Sequence, residues 1–301
     1  MPTLATLRWL PLLLLLAVAL EWAWLRRYQP TRLDTRESLA SLGVAVGHRL
    51  TQLASGGLLA GLYGWVWSHR IATVPLGSVW AWLALFVASE FCYYWQHRLG
   101  HECRWFWASH SVHHSSNHFN FAAAYRLSWT AALTGGALCF LPLIWLGFAP
   151  GALLAVLALN LLYQFWLHTE VVPKLGWLEW LLNTPSHHRV HHAANPHYLD
   201  ANYGGVLIVF DRLFGTFVAE TAAEPCRYGL VRPLNTYNPL RIVFAEWLEL
   251  VRDLYRARGW CDRLGHLLRA PGWQPGGAGQ TSRDLKRQAM NLLPNAQRNT
   301  P

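Results

Sequence analysis

Charge is what this chain has least of. Only 14% of its 301 residues are Asp, Glu, Lys or Arg, against roughly a quarter in an average soluble domain. With 53% hydrophobic residues and long apolar runs, this argues against a soluble globule and for an integral membrane protein. The five cysteines (Cys92, Cys103, Cys139, Cys226, Cys261) form no C-x-x-C pair. That removes an iron–sulfur motif and a disulfide framework. G-x-G-x-x-G is absent, so the chain has no dinucleotide fingerprint of its own. No Glu has a His three residues on, which excludes the Glu-x-x-His pattern of soluble di-iron bundles. H-E-x-x-H is missing too, because His101-Glu102 runs into Cys103-Arg104-Trp105. There is no internal repeat and no β-pattern, which leaves an all-α bundle as the expected fold. The net charge is +9, with arginines spread over juxtamembrane loops and the C-terminal tail. Anionic lipid headgroups are therefore the expected partner, not nucleic acid.

What the chain does have is histidine, concentrated. Twelve of its fifteen histidines lie between His97 and His197. Three groups stand out: His97-Arg-Leu-Gly-His101, His110-Ser-Val-His113-His114 and His187-His188-Arg-Val-His191-His192. Neutral imidazole is the commonest metal-ligating side chain. Eight or more imidazoles exceed what one ion uses, so the count predicts a dimetal site. On a helix, His97 and His101 share one face and can share one metal. His110 and His113 form an i/i+3 pair, with His114 turned about a hundred degrees away toward a second ion. His188, His191 and His192 repeat the pattern. Imidazole suits zinc, copper, iron and nickel alike, so the ligands alone do not choose the metal. A catalytic zinc site commonly uses three protein ligands, which this set exceeds. A membrane haem needs paired axial histidines inside the bilayer, and these are crowded at one interface.

The apolar runs predict four to five spans at about 9–25, 50–67, 77–96, 128–148 and 152–168. The first is read as a retained anchor and not as a cleaved signal peptide ending near residue 19, because Trp22, Trp24 and Leu25 prolong it and Arg26-Arg27 follow. Residues 26–38 carry Arg26, Arg27, Arg32 and Arg36, which predicts a cytoplasmic loop. A short amphipathic helix is expected over 39–49, ending at His48-Arg49. Gly56, Gly57, Gly61 and Gly64 suit close helix packing in the second span. Phe148-Ala-Pro-Gly151 joins the last two spans as a hairpin, returning the chain to the side of residues 97–127. Every histidine group then falls on the cytoplasmic face. The expected organisation is an anchor and basic loop over 1–38, a membrane core holding the dimetal site over 39–218, and C-terminal cytoplasmic helices over 219–301 with a disordered tail after Pro271.

Three boxes, H-x-x-x-H, H-x-x-H-H and H-x-x-H-H, on such a scaffold resemble the fatty acid hydroxylase/sterol desaturase superfamily. The likeness covers about residues 78–218, including Tyr93-Tyr94-Trp95-Gln96-His97-Arg98, Asn202-Tyr203-Gly204-Gly205 and Asp211-Arg212-Leu213-Phe214-Gly215-Thr216-Phe217. It is nearest the alkylglycerol monooxygenase branch, on His101-Glu102, His113-His114-Ser115-Ser116, the run from Gln164 to Glu170, Asn183 to His192, and Pro271-Gly-Trp-Gln-Pro-Gly276. The resemblance implies a non-haem centre of two iron ions that uses O2 to hydroxylate or desaturate a lipid alkyl C–H bond, with an ether-lipid or sterol-like substrate. Electrons must come from an external reductant, either a tetrahydropterin or a ferredoxin, cytochrome or NAD(P)H reductase. Zinc-dependent membrane hydrolysis and metal transport are the alternatives; the absence of histidine from 128–148 and 152–167 speaks against a transport path. Arg-, Leu- and Trp-rich usage points to a bacterial inner membrane.

The expected ligands are His97, His101, His110, His113, His114, His188, His191 and His192. His168, at the cytoplasmic end of the fifth span, and His187 complete a set of ten. His118 and His197 read as outer or surface residues. Glu90 lies two helical turns before His97 and is the candidate acceptor for a histidine N–H. Glu102 is a candidate near metal or cofactor. Asp200 and Asp211 are candidates to orient histidines, or to pair with arginines such as Arg212.

Overall fold

The computed structural model describes residues 9–292. Its α-helices are α1 (Leu10–Tyr28), α2 (Thr35–Ser68), α3 (Val79–Glu102), α4 (Arg104–His114), α5 (Ala131–Thr134), α6 (Leu141–Leu146), α7 (Pro150–Leu167), α8 (Pro185–His191), α9 (Val209–Phe214), α10 (Pro239–Arg256), α11 (Trp260–Leu268) and α12 (Ser282–Leu292). Two isolated bridges, Leu182 with Leu207 and Ala193 with Tyr228, are the only β-type pairings among the described residues. The fold is all-α, as the missing period-two pattern requires.

Local chemistry sets the helix ends. Asp34 caps α2, its carboxylate accepting the N–H groups of Arg36 and Glu37 at 2.8 and 3.2 Å. Ser78 caps α3 by accepting from Ala81 N–H. One extended residue, Cys103, separates α3 from α4, so the chain folds sharply and lays the second histidine box against the first. The apolar core lies between α2, α3, α6 and α7, built on Tyr63, Val66, Leu85, Phe140, Ile144 and Leu153. A second cluster joins α2, α4 and α10 through Val44, Val112 and Val243. Large apolar side chains remain exposed along α1, α2, α3 and α7, among them Leu20, Leu58, Trp80 and Leu159 at 62–81%.

Three expectations change. Residues 39–49 and 50–67 are one unbroken helix of 34 residues, since nothing at His48-Arg49-Leu50 stops it. Gly47 lets the Trp129 ring lie on the α2 backbone: a Cβ there would meet that ring at 2.1 Å. The stretch 128–148 is not one span. It breaks at Gly135 (φ +78) and Gly147 (φ +113), with only short helical pieces between. At Gly147 the chain presses on the 69–78 turn, Val74 N–H donating to its carbonyl at 2.9 Å. Of the described helices, Pro150–Leu167 alone is both long and apolar enough to cross a membrane. The tail after Pro271 is not structureless throughout: α12 packs against the turn at Pro196–Tyr198, because its apolar positions recur on one helical face. Residues 293–301 of that expected tail, and residues 1–8 of the expected anchor region, lie outside the described residues.

Candidate metal centre

Nine histidines converge in two groups. His97 and His101 from α3, His110 and His114 from α4, and His191 from α8 each offer a ring nitrogen within 4.8 Å of the others. His113 from α4, His168 just past α7, and His188 and His192 from α8 do the same. The groups adjoin: the His114 and His192 rings stack at 4.3 Å.

The sorting within each box differs from the expected one. His110 groups with His114, not with His113, and His188 groups with His192 while His191 crosses over. At 100° per residue, an i/i+4 pair is only 40° apart around the helix and an i/i+3 pair 60°. His187 joins neither group; its Nε2 lies 3.8 Å from Glu179, and burial pushes its pKa down to about 4. His118 faces Glu37 instead.

Backbone carbonyls aim three of the rings. Nδ1 of His97 donates to Tyr203 C=O at 2.8 Å, Nδ1 of His168 to Gln164 C=O at 2.8 Å, and Nδ1 of His191 to Ala201 C=O at 2.9 Å. A carbonyl only accepts, so Nδ1 carries the proton and each neutral ring presents an Nε2 lone pair. His101 Nδ1 lies 3.5 Å from Asp200. Burial holds His110, His113, His114, His188, His191 and His192 well below their ordinary pKa, with neighbouring imidazoles adding to the effect; His97 is driven to about 3. Ring Nε2 atoms face each other at 3.0–3.2 Å, as in His97 with His110, His168 with His188 and His168 with His113. Buried Nε2 of His101 and of His191 has no hydrogen-bond partner. An unpaired buried acceptor is costly. The crowding of ring nitrogens fits a cation in each group, and the unpaired Nε2 atoms of His101 and His191 fit one in the five-histidine group.

The carboxylates divide. Asp211 accepts Tyr203 N–H, Gly204 N–H and the Thr216 hydroxyl, each at 2.7 Å, and so fixes the segment whose carbonyl aims His97; it makes no pair with Arg212. Glu102 pairs with Arg98 at 2.9 Å. Glu90 accepts no histidine N–H. Two turns of helix separate it from His97, about 10 Å, and its carboxylate instead takes Val206 N–H, Leu207 N–H and the Asn160 amide. Asn160 in turn accepts from Gln164, the residue whose carbonyl aims His168.

Sequence reading missed several supports. Buried Glu37 receives Asn117 N–H at 2.8 Å, His118 Nδ1 at 2.5 Å and Arg126 Nη2 at 3.2 Å, fastening the segment after the second box to α2. Glu21 of α1 accepts Phe121 N–H and the hydroxyl of Thr169, the neighbour of His168. Lys286 of α12 lies near Asp200 and Glu102. A charged residue inside an apolar or amphipathic run was the available signal for both glutamates.

Residues 82–216 match the Fatty acid hydroxylase family. The chain is 39% identical over 267 residues to alkylglycerol monooxygenase of Xenopus tropicalis and 40% identical over 266 residues to that of Homo sapiens, 88% of this chain in each case. It is 33% identical to an ornithine lipid hydroxylase of Rhizobium tropici over 131 residues, 44% of this chain and 40% of that protein. The chain spans 58% of the length of the two alkylglycerol monooxygenases. No solved structure matches. Residues 82–216 are thus a fatty acid hydroxylase family domain, in a chain homologous over most of its length to alkylglycerol monooxygenases.

Proposed function

We propose that this protein is a membrane-bound, O2-dependent lipid monooxygenase whose two histidine groups each hold one iron ion, and that it acts on an alkyl chain of an ether-type lipid. The carrying observation is the convergence of nine imidazoles, seven of them buried and His110 and His113 half-buried, into two adjoining groups, in each of which the ring nitrogens lie within 4.8 Å of one another. His97, His101, His110, His114 and His191 would hold one ion, and His113, His168, His188 and His192 the other. Bound there, a pair of iron ions supplies dioxygen activation and the oxidising power to break an alkyl C–H bond. The protein's own part is to aim and to exclude. Carbonyls of Tyr203, Gln164 and Ala201 and the Asp200 carboxylate fix ring orientation. Burial keeps bulk water away, and Phe119 packs on the rings of His168 and His192. Imidazoles add no negative charge, so the cationic character of the ions is undiminished.

The membrane placement follows the same reading. Exposed apolar side chains on α1, α2, α3 and α7 face lipid, with the helices of residues 131–146 entering without crossing alone. Arg32 lies 3.8 Å from Glu170, which puts the basic loop at the end of α7 that carries His168. By the positive-inside rule that end is cytoplasmic. A substrate with its polar head in water and its tail in the bilayer then meets the centre at the interface. An external reductant, a tetrahydropterin or an electron-transfer protein, completes the reaction.

The test is metal analysis of the purified chain together with oxidation of an alkylglycerol under air and under strict anaerobiosis. Iron near two per chain and turnover only with dioxygen are expected, and His113→Ala should abolish turnover in a protein that still inserts in membranes. Zinc as the functional metal, with oxygen-independent turnover, refutes the proposal.

A further inference from the structure

A series of hydrogen bonds leads from His97, through the Tyr203 backbone, Asp211 and Thr216, to the buried phenol of Tyr94. His97 Nδ1 donates to Tyr203 C=O at 2.8 Å, and Tyr203 N–H donates to Asp211 Oδ1 at 2.7 Å. The same carboxylate oxygen accepts the Thr216 hydroxyl at 2.7 Å, and Thr216 Oγ1 lies 3.0 Å from the Tyr94 hydroxyl. Thr216 spends its proton on Asp211, so toward Tyr94 it is the acceptor and Tyr94 the donor. The phenol proton therefore has a ready path through Thr216 to a carboxylate. Asp211 is fully buried, and burial pushes its pKa up to about 6, which makes it a better proton acceptor than a solvated carboxylate.

The rings follow the same route. Tyr203 lies 5.2 Å from His101 and 6.0 Å from Tyr94. Tyr94 is 0% exposed, and 5.4 Å beyond it stands Trp95, 37% exposed. Arg98 donates to the Tyr94 hydroxyl at 3.2 Å and lies over the Trp95 ring. Tyrosine and tryptophan are the most readily oxidised aromatic side chains. Here ring contacts lead stepwise from His101 through Tyr203 and Tyr94 to Trp95.

We infer that Tyr94 and Trp95 form a redox outlet for the centre, used when its oxidised metal pair has no alkyl C–H bond to attack. The inference rests on the oxygenase reading above. One electron passes from Tyr94 to the dioxygen-oxidised metal pair. The phenol proton moves to Thr216 as the Thr216 proton moves to Asp211. Trp95 then returns an electron to Tyr94, and the relayed protons move back. In sum Trp95 loses one electron and its indole proton to solvent, the metal pair gains one electron, and Tyr94, Thr216 and Asp211 are restored. The external reductant of that reading, a tetrahydropterin or an electron-transfer protein, returns one electron to Trp95 as solvent returns one proton. Without it, the indole radical adds dioxygen to give a peroxyl radical, from which oxygenated tryptophan products form. Trp107, 5.3 Å from His101, and Tyr93, 5.4 Å from His97, are competing oxidisable rings beside the same group.

The test uses the full iron-loaded chain, reduced with dithionite under anaerobic conditions, freed of dithionite by anaerobic desalting, and mixed with oxygenated buffer without added alkylglycerol. Freeze-quench electron paramagnetic resonance should detect a tyrosyl radical. After repeated cycles, peptide mass spectrometry should find oxygen added to Trp95 well above Trp80, although Trp80 is 74% exposed. Tyr94→Phe keeps the ring and should keep iron content and helical signal while both signatures are lost. Thr216→Val, which removes the proton acceptor, should weaken the radical, and Trp95→Phe should prolong it. Signatures unchanged in Tyr94→Phe, or oxygen added at Trp107 alone, overturn the outlet. Dioxygen uptake with no radical and no Trp95 oxidation overturns the outlet only. Absence of dioxygen uptake overturns the oxygenase reading, and the outlet with it.

Discussion

Replacing Glu37 by Gln should destabilise the protein far more than loss of one hydrogen bond. Glu37 and Arg126 are 5% and 1% exposed, and their contact at 3.2 Å is the only ion pair of Arg126 among the described residues. Removing one partner of a buried pair leaves an uncompensated charge, at roughly 3–5 kcal/mol. Arg126 keeps the hydroxyls of Ser41 and Ser115, each at 2.9 Å, which places the expected loss near the lower end, about 3 kcal/mol. At roughly 2–4 °C per kcal/mol, the apparent Tm should fall by about 6–12 °C, read by intrinsic-fluorescence melting of the detergent-solubilised protein. The double variant Glu37→Leu/Arg126→Met tests the cause. With both charges gone, burial carries no unpaired ion, so it should melt above Glu37→Gln. A fall of less than about 2 °C for Glu37→Gln, or a double variant that melts lower still, refutes the argument.

The same cluster predicts a pH dependence. The hydrogen bond that His118 donates to Glu37 raises the His118 pKa above its ordinary 6.5, so the folded state favours the protonated ring. That stability is fully present below 6.5 and is lost as pH rises through the raised folded value; melting curves of His118→Gln should lack this alkaline loss. Asp211→Ala frees the backbone whose carbonyl aims His97, and metal affinity should drop roughly 10–100-fold in chelator competition. His187→Ala should retain full metal stoichiometry, whereas His188→Ala should lose the ion of the four-histidine group; equal loss in both would contradict the grouping.

Most of the candidate site was legible because its signal is local. The three boxes and His168 occur in the sequence at helical spacing, and nine of the ten expected ligands come together. Their division between two groups was not legible, because the choice between i/i+3 and i/i+4 depends on how α3, α4, α7 and α8 face one another. Glu90 misled for a related reason: the helical face is right, but two turns put it beside Asn160 and the 206–207 backbone. Glu37 with Arg126 and Glu21 with Thr169 are 89 and 148 residues apart, and no periodicity reports such pairs. The stretch 128–148 has the composition of a span, yet its left-handed glycines decide its course, and hydropathy is blind to φ.

The alternation along α4 and α8 ties the fates of the two groups. Each of these helices sends ligands to both sides, and the His114–His192 stack stands between them. A cation that draws His110 and His114 together also sets the rotation of α4, and hence where His113 points; His191 does the same for His188 and His192. On the proposed two-ion reading, filling one group would prepare the other. Titration of apoprotein with ferrous iron should be sigmoidal, with the singly loaded form scarce, so that the protein passes from empty to doubly loaded with little between.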